Sequence, residues 1–357
     1  MSKKRMLIIS LSGIGNTLLA LPFLTSLKDN FSSAQIDLVC LTQGIVELLS
    51  PRGLIDNFYV FSRNIVKVLF MILRLRRNKY LYSFIIFPSN KWQFDLVAFM
   101  IGARYRVTHC YKYRSKINLS FLQNIRIKAE ETLHDVEQNL NFLKIFNINS
   151  SQREVELFLD DRELAFAEDF LKNKGLQEAF LVGIHPGGGG RLSKKWQGRF
   201  KRWPVSYFSK LCDRLIEQKG AKILIFGGRE ESEIKKEVKR IASHKESLFI
   251  IEELSLRRVS ALIKKCKLFI SNDTALMHIS AALGVSTLGI FGPTNWRRTA
   301  PYSNSGYYIS SDIPCSPCLK YPFFSSSSKI KCNKGVKCLK EITVEKVMDK
   351  LKELNLI

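Results

Sequence analysis

Short apolar runs bounded by turn residues alternate with longer stretches in which apolar residues recur every three or four positions. Residues 6–11 form the first run, followed by Ser12-Gly13-Ile14-Gly15-Asn16. From Thr17 onward Leu18, Leu21, Leu24 and Leu27 fall on one stripe, which predicts strand, glycine turn, helix. Residues 34–41, 57–61 and 82–87 read as further strands, and 134–146 as an amphipathic helix. A polar segment at 147–155 reads as a linker and 160–174 as another helix. The alternation then restarts. Strands are predicted at 180–185, 222–226, 268–271 and 286–291, with helices from Pro204, at 231–242, at 274–283 and at 344–354, the last capped by Thr343. Strands and helices in strict alternation imply parallel sheets covered on both faces. The fold class is therefore α/β, with two doubly wound, Rossmann-like domains at 1–175 and 176–357 facing a cleft, the usual place for a ligand.

Length and composition agree with two globular domains: 357 residues, 46% hydrophobic and 25% charged. The net charge of +24, from 56 basic and 32 acidic residues, draws polyanions: nucleic acid, an anionic membrane face or phosphorylated substrates. The apolar stretch at 7–11 is too short for a signal-peptide core. The run at 65–75, interrupted by Lys67 and Arg74, falls short of the roughly 20 residues that span a bilayer. A cytoplasmic protein without disulfides is the expectation for its eight cysteines. Of these, Cys40, Cys110, Cys212 and Cys266 sit in apolar or helical surroundings and read as core residues.

Three turns carry the candidate chemistry. Gly13 and Gly15 open a helix, where backbone N–H groups suit an anion or a sugar, but the third glycine of the dinucleotide fingerprint is replaced by Leu18. His185-Pro186 leads into four glycines, 187–190, of which Gly187 and Gly188 come first. A basic stretch follows, with Arg191, Lys194, Lys195, Arg199, Lys201 and Arg202, and this composition fits a diphosphate. The bland alternative for each is a tight or flexible turn with no ligand. The third turn, at 271–274, ends a strand and enters a helix, placing Asp273, Thr274 and Ala275 at a helix N-terminus and His278 one turn on. Gly292 closes the next strand. Here the bland reading is a capping aspartate and a core histidine.

These residues resemble glycosyltransferase family 9, the heptosyltransferases. The pattern S-x-D-T-x-x-x-H-x-x-A-A-L-G at 271–284, F-G-P-T at 291–294, G-I-G-x-x-L-L-x-x-P at 13–22 and H-P-G with K-x-W-P at 185–204 carry the likeness, which covers nearly the whole chain. The resemblance implies the GT-B fold and an inverting transfer that needs no metal. The donor would be a nucleotide diphosphate sugar, ADP-heptose by family default. The acceptor would be a lipopolysaccharide core or related lipid-linked saccharide, met on the inner face of the bacterial inner membrane. It further implies that Lys201 meets the diphosphate, Glu230 reads the ribose, Thr274 and Ala275 offer backbone N–H groups to phosphate, and Asp273 and His278 line the donor site. One departure stands out. Family members carry an aspartate after the first glycine turn as proposed general base, and this chain has Asn16, whose amide cannot take a proton. Either Asp273 or His185 acts as base, or Asn16 orients an acceptor activated by position, or the protein is a catalytically silent scaffold.

Cys315, Cys318, Cys332 and Cys338 are spaced C-x2-C-x13-C-x5-C within a loop at 315–338. In a reduced compartment this reads as a structural zinc site, with a disulfide pair or free thiols as alternatives. A basic zinc-containing nucleic-acid module would explain the charge and the knuckle but not the 271–284 block, and it lacks a recognition helix, so no nucleic-acid partner is expected. Arg63, Lys67, Arg74, Arg76, Arg77 and Lys79 flank the run at 65–75, and Lys112, Arg114 and Lys116 follow later. This predicts contact with the anionic inner-membrane surface, against the alternative of an ordinary buried helix with basic ends.

Overall fold

The structure is a computed structural model that describes residues 4–88, 91–111, 118–149, 154–188, 200–319, 322, 332 and 334–357. Lys112, Arg114 and Lys116, and all of the glycine-loop basic stretch before Lys201, lie outside the described residues. The chain divides between Val155 and Glu156 into two compact units.

The first unit contains six parallel strands: β1 (Arg5–Ser10), β2 (Gln35–Cys40), β3 (Asn57–Val60), β4 (Tyr82–Ile85), β5 (Tyr105–Cys110) and β6 (Ile125–Lys128), in the order β3-β2-β1-β4-β5-β6. The second contains β7 (Leu181–His185), β8 (Lys222–Ile225), β9 (Leu248–Ile250), β10 (Leu268–Asn272), β11 (Ser286–Phe291) and β12 (Gly306–Ser310), in the order β12-β11-β10-β7-β8-β9. Counted from each unit's own first strand, both sheets have the doubly wound order 3-2-1-4-5-6. The central strands are continuous apolar runs because helices bury both faces. Met6, Leu7, Ile8 and Ile9 of β1 are all buried, as are Leu268, Phe269 and Ile270 of β10.

The order of the strands reverses between β1 and β4 in the first unit and between β7 and β10 in the second. At such a switch point the flanking connections run to opposite faces of the sheet, which leaves a crevice outside the carboxyl ends of the strands. Both sequence-predicted glycine turns leave from these strands. Ser12 to Asn16 follows β1, and Pro186 to Gly188 follows β7.

Element ends differ from the sequence reading in instructive ways. The first helix starts at Ile14 rather than Thr17, with Gly13 as its N-cap, so Asn16 lies inside the first turn. The stretch 134–146 is an α-helix only over Asp135–Leu140, capped by His134 and Glu137, and tightens into 3-10 geometry over Asn141–Phe146. Pro204 is the N-cap of helix Val205–Lys219 and stands just outside it, in an extended conformation. The helix Asp161–Asn173 belongs to the second unit, so the units part earlier than residue 175. Its Glu163 accepts two hydrogen bonds from Arg257, at 2.6 and 2.8 Å, on the helix Leu256–Lys264. No described helix is long and apolar enough to cross a membrane.

Candidate functional site

The end of strand β10 and the turn after it carry four consecutive polar side chains. Ser271, Asn272, Asp273 and Thr274 are all buried, yet they end a strand whose upstream residues are wholly apolar. Such a group persists only if each polar atom finds a partner. Asn272 spans the gap to the glycine loop after β7: its amide nitrogen donates to the carbonyl oxygens of Pro186 (3.0 Å) and Gly187 (2.9 Å). Its Oδ1 accepts the backbone N–H of Trp203 at 2.9 Å. Trp203 is fully buried and donates from its indole to the Ile342 carbonyl oxygen at 2.7 Å. One asparagine therefore fixes both the β7 turn and the segment that carries Lys201.

Lys201 places its Nζ 3.0 Å from Oδ2 of Asp273. Burial works against the Asp273 carboxylate, but Lys201, His278 and a hydrogen bond from Thr294 outweigh it and hold its pKa below the usual carboxylate range. His278 is buried one turn along the helix Ala275–Ala282. Burial pushes its pKa down to about 4, against the pull of Asp273, so the ring is neutral at pH 7. Its Nδ1 is buried with no hydrogen-bond partner among the described residues.

A second chain of contacts runs behind this pair. His185, at the end of β7, sits with Nε2 2.9 Å from Glu231 Oε2 and Nδ1 2.8 Å from Thr274 Oγ1. Ser271 Oγ is 3.1 Å from the same threonine hydroxyl. Thr274 is the N-cap of the helix Ala275–Ala282, but with its hydroxyl held by His185 and Ser271 it makes no side-chain cap. Among the described residues the first-turn N–H groups of that helix have no side-chain cap, at the positive end of the helix dipole. Glu231 also accepts the N–H of Gly228 at 3.1 Å. A Cβ at Gly187 would overlap its carboxylate, which is the steric reason for glycine at the start of the loop.

Of the residues singled out from sequence, the structure brings His185, Gly187, Lys201, Asp273, Thr274, Ala275 and His278 to the switch point of the second sheet. Glu230 is exposed on the turn after β8, and its neighbour Glu231 is the carboxylate tied into the network. Sequence reading missed Glu231, Asn272 and Thr294. Asn16, Gly13 and Gly15 belong to the first unit, where Thr17 Oγ1 meets Ser10 Oγ at 2.6 Å and Asn16 is half-buried. Gly292 lies beside the cysteine loop: a Cβ there would overlap Leu339 and stand 3.1 Å from Cys338 Sγ.

Cys315, Cys318, Cys332 and Cys338 all line one small cavity together with Pro293, Ile313 and Val336. The N–H of Val336 donates to Cys332 Sγ at 3.3 Å, and burial with the neighbouring thiols pushes Cys338 up to about 11. Among the described residues no three metal-ligating side chains stand together closely enough to hold an ion. The donor set, four soft sulfurs around one cavity, is nevertheless of the kind that suits zinc.

Two Rossmann-type units in one chain, each a doubly wound parallel sheet, define the GT-B fold. More narrowly, the chain belongs to glycosyltransferase family 9 (heptosyltransferase), whose profile matches residues 71–326. Lipooligosaccharide heptosyltransferase 2 of Campylobacter jejuni subsp. jejuni serotype O:2 is 27% identical over 354 residues, covering 96% of this chain and 95% of its own. Lipopolysaccharide heptosyltransferase 3 of Escherichia coli K12 is 27% identical over 306 residues, covering 79% and 82%. Among solved structures, a family 9 glycosyltransferase from Veillonella parvula superposes with a TM-score of 0.79 at 19% identity, over 98% and 97% of the two chains. E. coli ADP-heptose lps heptosyltransferase II superposes with a TM-score of 0.75 at 20% identity, over 98% of each.

Proposed function

We propose that the protein transfers a heptose from ADP-heptose to a lipopolysaccharide-core or related lipid-linked acceptor, with inversion, at the inner face of the bacterial inner membrane. The observation that carries this reading is the Lys201–Asp273 pair beside the uncapped N-terminus of the helix Ala275–Ala282. A nucleoside diphosphate leaving group gathers negative charge as the glycosidic bond breaks. A lysine held at fixed distance and a helix N-terminus are preorganised to receive that charge without a metal. Asp273 orients the lysine, and His185 with Glu231 orients Thr274. The names of the relatives support heptose and the lipopolysaccharide acceptor.

Asp273 and His185 are both committed elsewhere. The carboxylate is paired with Lys201, and both ring nitrogens of His185 are engaged. The acceptor hydroxyl is therefore read as activated by position, with Asn16 as its orienting group. A scaffold that binds both partners without turnover is the second reading, favoured by the same Asn16. The four cysteines are read as a structural zinc clip on the strand end at Gly292, and metal analysis of the purified protein would refute it by finding less than one zinc per chain.

The donor site is tested by thermal shift against ADP-, UDP-, GDP- and CMP-linked ligands. ADP at about 100 times its Kd adds about 2.7 kcal/mol of stability. Lys201→Ala raises that Kd about 10- to 100-fold. No response of the wild type to any nucleotide sinks the reading.

A further inference from the structure

The helix Ile65–Arg77 is apolar on two sides. Val68, Ile72 and Leu75 pack into the core of the first unit beside Val97 and Ile101. Ile65, Val66, Leu69, Phe70 and Leu73 point the other way and are exposed, Phe70 by 68%, Ile65 by 67% and Leu73 by 56%. At 100° per residue these five fall within one arc of about 140°, centred about 120° from the buried stripe and adjoining it on the Ile72 side. A core-facing helix needs only the first stripe, so packing among the described residues does not account for the second. The adjoining helix Trp92–Ile101 exposes, on its own outer side, Trp92 by 46% and, two turns further along, Phe99.

The charges around this face have one sign. Between Asp56 and Asp95 the sequence contains no acidic residue, while Arg63, Lys67, Arg74, Arg76, Arg77, Lys79 and Lys91 are basic. Lys67 and Arg74 fall within about 60° of one edge of the apolar arc, Arg77 lies inside it and Arg63 just precedes the helix, and all four are exposed. Arg76 is turned to the neighbouring helix, donating to the Met100 carbonyl oxygen at 2.9 Å. A protein partner would have to cover an apolar ridge and neutralise a cationic rim on the same footprint. An anionic bilayer does both at once: acyl chains take the ridge, headgroups take the rim, and a tryptophan sits at their boundary.

We propose that the outer face of the helix Ile65–Arg77, with Trp92 and Phe99, inserts into the headgroup layer of an anionic lipid membrane and holds the first unit on it. This deepens the membrane-acceptor reading and rests on it only for its biological setting, since lipid binding is measured without any sugar.

The test is flotation of the full-length protein with vesicles of equimolar phosphatidylglycerol and phosphatidylcholine, and with phosphatidylcholine alone. The wild type floats with the anionic vesicles and is released by raised salt. Phe70→Ser/Leu73→Ser reduces partitioning at least about ten-fold, and Lys67→Gln/Arg74→Gln weakens it and flattens the salt dependence. Because all four side chains are exposed, the melting temperature and the nucleotide-induced shift stay unchanged. A wild type that remains with the soluble fraction overturns the proposal, as does a serine variant that floats like the wild type. So does sedimentation that finds a wild-type dimer made monomeric by the serine variant, since that assigns the face to a second copy of the chain. A protein that answers nucleotides but not vesicles loses only the docking face, and one that answers vesicles but not nucleotides loses only the donor site.

Discussion

Asn16 stands in the first turn of a helix that leaves the switch point of the first sheet, half-buried behind the Ser10–Thr17 hydroxyl pair. An amide there can hold an acceptor hydroxyl in line but cannot remove its proton. Asn16→Ala lowers kcat about 10- to 100-fold with little effect on nucleotide binding. Nucleoside diphosphate release in the presence of acceptor measures this, and an unchanged rate removes Asn16 from the reaction. The same scale marks where the sequence stops being legible. Glu230 and Glu231 are chemically identical neighbours, and only the short 3-10 turn Arg229–Glu231 decides that one faces solvent while the other meets His185. Asn272 works through backbone atoms of Pro186, Gly187 and Trp203, far from it in the chain, so no local motif marks it. Asp273, Thr274 and His278 were legible because a strand end, a cap and a helical spacing coincide within one short block.

Helix Trp92–Ile101 carries Asp95 on its buried side, beside Phe94, Val97 and Ala98. Burial pushes its pKa up to about 8, with Gln123 and Thr108 pulling the other way. The unfolded chain releases this proton near pH 4, so between about pH 4 and 8 the native state holds a proton that the unfolded state lacks. Stability from this group is full below that range and is lost as pH rises through it. Asp95→Asn raises the melting temperature by about 5 °C at pH 8 and by little at pH 4.5. A constant difference across that range contradicts the assignment. The buried His109, whose Nε2 meets the Gln138 carbonyl oxygen at 2.9 Å, works in the opposite sense. Its pKa is pushed down to about 4, so its contribution is lost as pH falls from about 6.5 toward 4. Element types were legible wherever the apolar period was clean, as in β1, β10 and the helix Val205–Lys219. Strands β5 and β6 were missed because Tyr105–Cys110 mixes apolar with polar residues and Ile125–Lys128 alternates apolar with basic ones, which reads as polar loop until a neighbour supplies the ladder.

At the scale of the whole molecule, two α/β units were readable from the restart of the strand–helix alternation, but their boundary was not. The helix Asp161–Asn173 follows a polar stretch and has no sequence mark tying it forward or back. Its allegiance is set by Glu163, whose pKa the Arg257 guanidinium draws down to about 2. A fragment of residues 156–357 is accordingly more stable than one of 176–357 by about 2–4 kcal/mol, because the shorter fragment leaves Arg257 without its carboxylate and uncovers the core beneath Ala167 and Leu171. Urea denaturation of the two fragments measures this, and equal midpoints with equal slopes would falsify it.

The stretch between Asp56 and Asp95 holds no carboxylate, and it also holds no histidine and no cysteine. Its ionisable side chains are lysines, arginines and tyrosines, so the stretch holds none of the residue types on which proteins ordinarily build a switch near neutral pH. The cationic rim is thus a constant of the molecule there. Within the rim itself acidification finds nothing to tighten and mild alkali nothing to loosen; a titrating group beside it is the buried Asp95 of the helix Trp92–Ile101. The ionic strength of the medium and the charge of the opposing surface are the levers that act on the rim directly.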